Sequence, residues 1–394
     1  MDNVNSISVI RQLLLLLPVD IHERLLFDRY AKKLTTMKAI LLFIVAQLKQ
    51  WSSYGEMELG LRAEPILQEL LQLPEISGAQ LSRKLDLIPT ELLEWIFLHL
   101  VKQRKRNSTL PPLHLLDSTT IALPLQRGAW ARMSRTSSGV KMHLRLVVAS
   151  PDEVYPHAMI PSSRKVDDRE GALLLVVEAD VTYVMDRGYD DYVRMDDWVN
   201  RGIRFVMRVR DRALATILED YPVTGNSKIT RDAKVAVGGA FRSMKNPVRL
   251  VEYMDDQGRL YRVFTSVWDK SAEEIAEMYK QRWLIELYFK WLKQHLRLTH
   301  VHSYKPQALW NQLFLVLITA LLVDQVASSS HTVRTHWDVL KMLRTYLFKS
   351  WSALEKELQR VASRTSRGRQ PGHSPPIPSI RTTVGILASG KKKK

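Results

Sequence analysis

The sequence predicts a mixed α/β fold, preceded by an all-helical region and followed by further helices. Three observations predict it. Residues 1 to about 106 carry apolar residues at helical steps with few breakers. From about residue 112, β-branched runs alternate with helical segments after an opening strand meander. From 211 to about 268 that alternation stops and strands alone remain.

In the first region, MKAILLFIVAQLKQW and ELLEWIFLHLVKQRK are the clearest helices. Between them, SGAQLSRKLDLIPTE fits a short helix-turn-helix, with Ser77 or Ser82 near a helix start. KQRKRNSTLPP is a basic, proline-terminated linker and sets a boundary. LHLLDSTTIAL, VKMHLRLVVAS and EVYPHAMIPS read as three strands. EGALLLVVEAD reads as helix, VTYVMDRGY as strand, DDYVRMDDWVNRG as a helix ending at Gly202, and IRFVMRVR as strand. Residues 211–268 read as a β insertion of hairpins, with a turn at Asp255-Asp256-Gln257-Gly258.

One helix is then predicted across MYKQRWLIELYFKWLKQH, a second in ALWNQLFLVLITALLV and a third around 335–361. The apolar run from Leu313 to Val323 is too short to span a bilayer and Asp324 closes it, so a buried helix is expected. The tail 361–394 holds eight Lys or Arg and no acid, and is expected to be disordered. The expected division is 1–108 helical and DNA-binding, 109–330 catalytic, and 331–394 a C-terminal helix with a basic tail.

Composition narrows the function. The 394 residues include 58 Lys plus Arg against 41 Asp plus Glu, a net charge of +17, which points to a polyanionic partner, most often nucleic acid. With no cysteine, disulfides, zinc ribbons and thiol catalysis are excluded, and a reducing cytoplasm is expected. The N-terminal residues show no secretory leader pattern, and no membrane association is expected.

The polar residues of MYKQRWLIELYFKWLKQH do not fall on a solvated face. At about 100° per residue, Tyr279, Arg282, Glu286 and Lys293 lie within roughly 60° of one another. Arg282 and Glu286 alone are an ordinary i,i+4 pair. That pairing does not explain Tyr279 and Lys293 on the same stripe. Asp117 and Asp186 each end an apolar run, where a carboxylate is either a structural cap or bound to a cation. Three acids from two strands and one helix, in a basic chain, suit two Mg²⁺ ions acting on a phosphodiester. Arg282 and Lys293 would then hold phosphate on the same face.

Tyr279, Arg282, Glu286 and Lys293, at separations of three, four and seven, match the YREK signature. The chain resembles the insertion-sequence-four family of DDE transposases, with LLDSTTI similar to its first-Asp motif and VMDRGY to its second. The resemblance runs from about Leu113 to Leu298, and more loosely over DRYAKKLTTMKAILLFIVAQL. It implies an RNase H-like catalytic core with a β insertion before the Glu helix. It implies a triad of Asp117, Asp186 and Glu286 using two Mg²⁺ or Mn²⁺ ions. It implies cutting at an element's terminal repeats in double-stranded DNA and joining of the 3′-OH ends to a target, by a homodimer in a synaptic complex associated with the nucleoid.

By the same resemblance, Arg282 and Lys293 contact phosphate and Tyr279 positions it. Tyr261 and Trp268 are candidates to stack on a flipped base, and Lys141, in a family-like segment, to touch DNA. KVDD at 165–168 is also similar to a family segment. Two rival functions are a DNA-binding protein that has lost activity and an RNase H-like nuclease without strand transfer. The presence of all three acids disfavours the first, and the family-like N-terminal region disfavours the second.

Overall fold

The computed structural model describes residues 7–18, 28–29, 31–104, 112–150, 153–223, 228–240, 242–330, 332 and 334–360. The basic tail 361–394 and the linker residues Lys105 and Arg106 lie outside them.

Among the described residues, six helices come first: α1 (Val9–Leu15), α2 (Thr36–Lys49), α3 (Tyr54–Ala63), α4 (Pro65–Leu71), α5 (Gly78–Leu87) and α6 (Thr90–Gln103). Their starts follow capping chemistry. Thr35 caps α2 and Ser53 caps α3, and Ser77 with Gln80 forms a capping box on α5. Of the two serines, then, Ser77 starts the helix and Ser82 lies inside it. Pro89 holds Ile88 extended and separates α5 from α6.

The first three strands form the expected meander: β1 (Leu113–Leu123), β2 (Ser138–Ser150) and β3 (Glu153–Ser163). Then come α7 (Asp168–Leu175), β4 (Thr182–Met185), α8 (Tyr192–Asn200) and β5 (Arg204–Arg208). α8 stops where expected. Gly202 adopts φ +69, and the Ile203 N–H closes back on the Trp198 carbonyl at 2.8 Å. In this part of the sheet the order is β3-β2-β1-β4-β5, with only β2 antiparallel to its neighbours. That is an RNase H-like core.

The predicted insertion is all strand: β6 (Ala215–Asp220), β7 (Ile229–Gly239), β8 (Arg242–Ser243), β9 (Val248–Met254) and β10 (Leu260–Thr265). The β9–β10 turn lies where read, with Gly258 at φ +73. The insertion is not a separate sheet. β10 pairs antiparallel with β5, and the order continues β5-β10-β9-β7-β6 into one ten-stranded sheet.

The single helix expected across Tyr279 to Lys293 is two: α9 (Ala272–Gln281) and α10 (Trp283–His295). Arg282 is the joint. Its backbone stays right-handed, but Arg282 N–H bonds the Tyr279 carbonyl and Ile285 N–H bonds the Arg282 carbonyl, both three residues back. The tighter turn rotates α10 relative to an ideal continuation of α9.

α11 (Pro306–Ser329), α12 (His336–Tyr346) and α13 (Trp351–Gln359) follow. α11 is longer than its apolar run and does not end at Asp324. At 24 residues it is long and apolar enough to cross a membrane, yet 78% of its most apolar window is buried inside the protein. It packs on α2, α5, α6 and α12, so N-terminal and C-terminal helices share one core. Asp324 is accommodated because Arg104 grips it through two nitrogens, at 2.5 and 3.0 Å. Arg104, read as part of the basic linker, has a side chain only 4% exposed.

Candidate active site

The parallel register of β1 and β4 pairs Leu116 with Met185. The next residue on each strand is an aspartate. Asp117 and Asp186 therefore stand side by side where β4 ends and β1 continues alone with β2. The third acid arrives from α10, which packs against β1 and brings Glu286 to the same place. A groove of about 470 Å³ opens here, lined by Asp117, Thr119, Glu286, Lys290 and Lys293 among others.

Arg282 lies among the acids. Its Nη2 donates to Glu286 at 2.5 Å, and its Nη1 is 3.7 Å from Asp117. The second separation is too long for a hydrogen bond. Nε and Nη1 are buried without hydrogen-bond partners. The Asp117 carboxyl is pushed up to about 6, first by burial and further by Asp186 and Glu286. The Ser118 N–H and Arg282 pull the other way. Among the described residues, no three acidic or histidine side chains converge at metal-ligand spacing. The acids are neighbours, with a guanidinium between two of them.

Tyr279, buried in α9, donates to Asp186 at 3.4 Å, and burial raises its hydroxyl to about 12. So all four residues of the predicted stripe do face the acids, across a joint rather than along one helix. Lys293 and Lys290 have no acidic partner among the described residues.

The other candidates are placed less directly. Tyr261 stacks on Tyr253 (5.3 Å, 11°) and meets Tyr279 at 6.0 Å, with Arg208 over its ring at 4.5 Å. It borders a second pocket of about 220 Å³ beside the acids, with Tyr279, Arg282 and Trp283. Trp268 is 46% exposed and does not line that pocket. Lys141 points at Asp168 and the Val166 carbonyl, both at 3.0 Å. Its charge is thereby tied to the α7 side of the sheet.

Sequence reasoning missed Ser118, Asp168 and Trp283. Ser118 donates its N–H to Asp117 at 2.7 Å and its hydroxyl to Asp168 at 2.6 Å, bracing the first acid from behind. Asp168 belongs to the KVDD segment, which carried a signal without an assigned role. Lys84, in the helical region expected to bind DNA, is paired with Asp28 at 2.8 Å.

Residues 109–322 match the family model described as Transposase DDE domain. A relative from Geobacillus stearothermophilus, named "Probable transposase for insertion sequence element IS5377", is 28% identical over 302 residues, 74% of this chain and 77% of its own length. A second relative, from Sinorhizobium fredii and also named as a transposase, is 30% identical over 227 residues, 54% of this chain and 60% of its own. Among solved structures, a piggyBac transposase synaptic complex with hairpin DNA aligns over 97% of this chain and 90% of its own, at 10% identity and TM-score 0.46. The family model spans more than half of the chain and covers both strand-end aspartates and the α9–α10 joint: the chain belongs to the transposase DDE domain family and is an insertion-sequence transposase of the insertion-sequence-four type, an enzyme that cuts and joins DNA.

Proposed function

We propose that Asp117, Asp186 and Glu286 are the catalytic acids and together hold two divalent cations, Mg²⁺ or Mn²⁺, at the groove. The observation that carries this is the β1–β4 register, which aligns two aspartates at adjacent strand ends beside Glu286. The donor set fits the ions. It is all carboxylate oxygen, suited to hard cations. Its charge is also incompletely compensated, since burial, Asp186 and Glu286 raise Asp117 to about 6 while one guanidinium lies between Asp117 and Glu286. When bound, such a pair of ions activates a water and stabilises the leaving oxygen of a phosphodiester.

The protein's own part is placement. Lys290 and Lys293 offer free ammonium groups to the phosphates of a duplex entering the groove. Arg282 sets its positive charge among the acids, where it also attracts an approaching phosphate. Tyr279 orients Asp186, and Ser118 orients Asp117. The substrate is double-stranded DNA at the element's terminal repeats, and the exposed 3′-OH ends are joined to a target. A homodimer performs this in the cytoplasm, at the nucleoid. The helical portion 1–108 recognises the ends, residues 109–330 cut, and 331–394 add affinity.

The test incubates the protein with Mg²⁺ and duplexes carrying the DNA that flanks its gene, scoring nicking, double-strand cleavage and joining. Wild type cuts and joins. Asp117→Asn, Asp186→Asn and Glu286→Gln abolish both, with folding and DNA binding retained. A Glu286→Gln protein cutting at the wild-type rate ends the triad assignment.

A further inference from the structure

The loop between β1 and β2, residues 124–137, is basic and mostly exposed. From Ser118 to Ser150 the chain contains no acid, and Arg127, Arg132 and Arg135 all lie in this loop. Arg132 and Arg135 are exposed and have no partner among the described residues. Arg127 is held over the Tyr304 ring at 5.4 Å.

The loop is nonetheless fixed. Trp130 donates its indole N–H to the Tyr304 carbonyl at 2.8 Å and meets Trp310 of α11 edge-on at 5.5 Å. Met133 and Ser134 both donate their N–H groups to the Ser137 carbonyl, and Arg132 bridges Ser138. Two unpaired arginines are thus presented on a braced support. That reduces the ordering cost of binding.

Position supplies the second argument. Ser138 pairs with Leu123, at the far end of the strand that carries Asp117. Six residues of strand span about 20 Å. For a duplex laid along β1, at 3.4 Å per base pair, that is about 6 base pairs of B-form DNA. We propose that this loop is a fixed arm for duplex DNA, with Arg132 and Arg135 holding backbone phosphates about 6 base pairs from the phosphodiester cut beside Asp117. The inference rests on the proposed placement of cleavage at the three acids. An acidic protein partner fits less well, since Trp130 and Met133 are the only large exposed apolar side chains of the loop, and Trp130 is already engaged with Tyr304 and Trp310.

The test measures duplex binding by fluorescence anisotropy over a salt series without divalent cation. The probe is a duplex several turns long from the end of the element that encodes the chain. Arg132→Ala/Arg135→Ala is expected to flatten the log–log salt slope by about 2, near 0.9 per lost phosphate contact, with an unchanged melting temperature. Arg132→Lys/Arg135→Lys keeps the slope. Hydroxyl-radical footprinting of the alanine variant loses one patch of protection, about 6 base pairs from the cut mapped with wild type. An unchanged slope overturns the proposal. So does a slope that falls as far with lysine as with alanine, or protection lost at the cut itself. Failure of the catalytic reading is seen separately: Asp117→Asn would still cut, while the salt slopes judge the arm alone.

Discussion

Near the C-terminal end of α11, Arg104 meets Asp324 and Glu153; where β4 ends, Arg282 meets Glu286 and Asp117. Both clusters set one guanidinium against two carboxylates in buried surroundings. The first is closed. Three of its nitrogens donate at 2.5 to 3.0 Å, Tyr155 covers the cation at 4.1 Å, and His336 donates a further contact to Asp324 at 3.0 Å. Burial alone would raise Asp324, yet its hydrogen bonds from His336 and Arg104 hold it below the usual carboxylate range. The second is open. One short bond is made, two guanidinium nitrogens lack partners, a third acid adds repulsion, and Asp117 rises to about 6. The difference separates a closed joint from an open cluster, the proposed site. A satisfied network holds elements together, and an under-compensated one is poised to take a cation or a phosphate.

The largest expected effect is on the closed cluster. Arg104→Ala leaves Asp324 and Glu153 buried without their cation and should cost about 3–5 kcal/mol of stability, read by urea unfolding. A loss within experimental error would show that the network is not structural. On the open side, Lys293→Ala should raise the cleavage barrier by about 1–3 kcal/mol with no change in melting temperature, because Lys293 makes no ion pair among the described residues. If Lys293→Ala cuts normally, that lysine contacts no phosphate in the reaction.

The smallest effect tests the sign of the contrast. Asp117 has a folded value near 6 against an ordinary 3.8, so it disfavours folding where the carboxylate must be charged. Without metal, Asp117→Asn should stabilise the protein by about 1 kcal/mol above pH 6, and the gain should fade as pH falls toward 3.8. Asp324→Asn should lower stability at neutral pH. If both replacements shift stability the same way, the two clusters do not differ as described.

Much of the open cluster was legible in the sequence because its cues are local. An aspartate ending an apolar strand is conspicuous, and the separations of Tyr279, Arg282, Glu286 and Lys293 survive a bend at Arg282. The closed cluster was illegible because its members lie far apart. Nothing near Arg104 announces Asp324, so Arg104 read as linker and Asp324 as a helix end. Asn311 and Gln312 are inside α11 for the same reason: Asn311 bonds the Leu85 and Ile88 carbonyls, and Gln312 bonds that of His300. The strands of 211–268 were identifiable from their own residues. Their pairing with β5 was not, since register across β10 depends on residues some sixty positions away.

The continuous sheet and the shared helical core also set an order of assembly during synthesis. β5 leaves the ribosome with one edge unpaired and keeps it so until Leu260–Thr265 emerges. The N-terminal helices emerge first, yet much of the apolar surface that covers them belongs to α11. Glu286 comes after both aspartates and before that helix. A nascent chain halted short of Pro306 therefore lacks the cover of its earliest helices even when all three acids have been made. Long-range pairing of this kind is slow and leaves sticky edges in transit. Competence to cut DNA thus arrives with the last long helix, and premature termination releases aggregation-prone fragments rather than a partial nuclease.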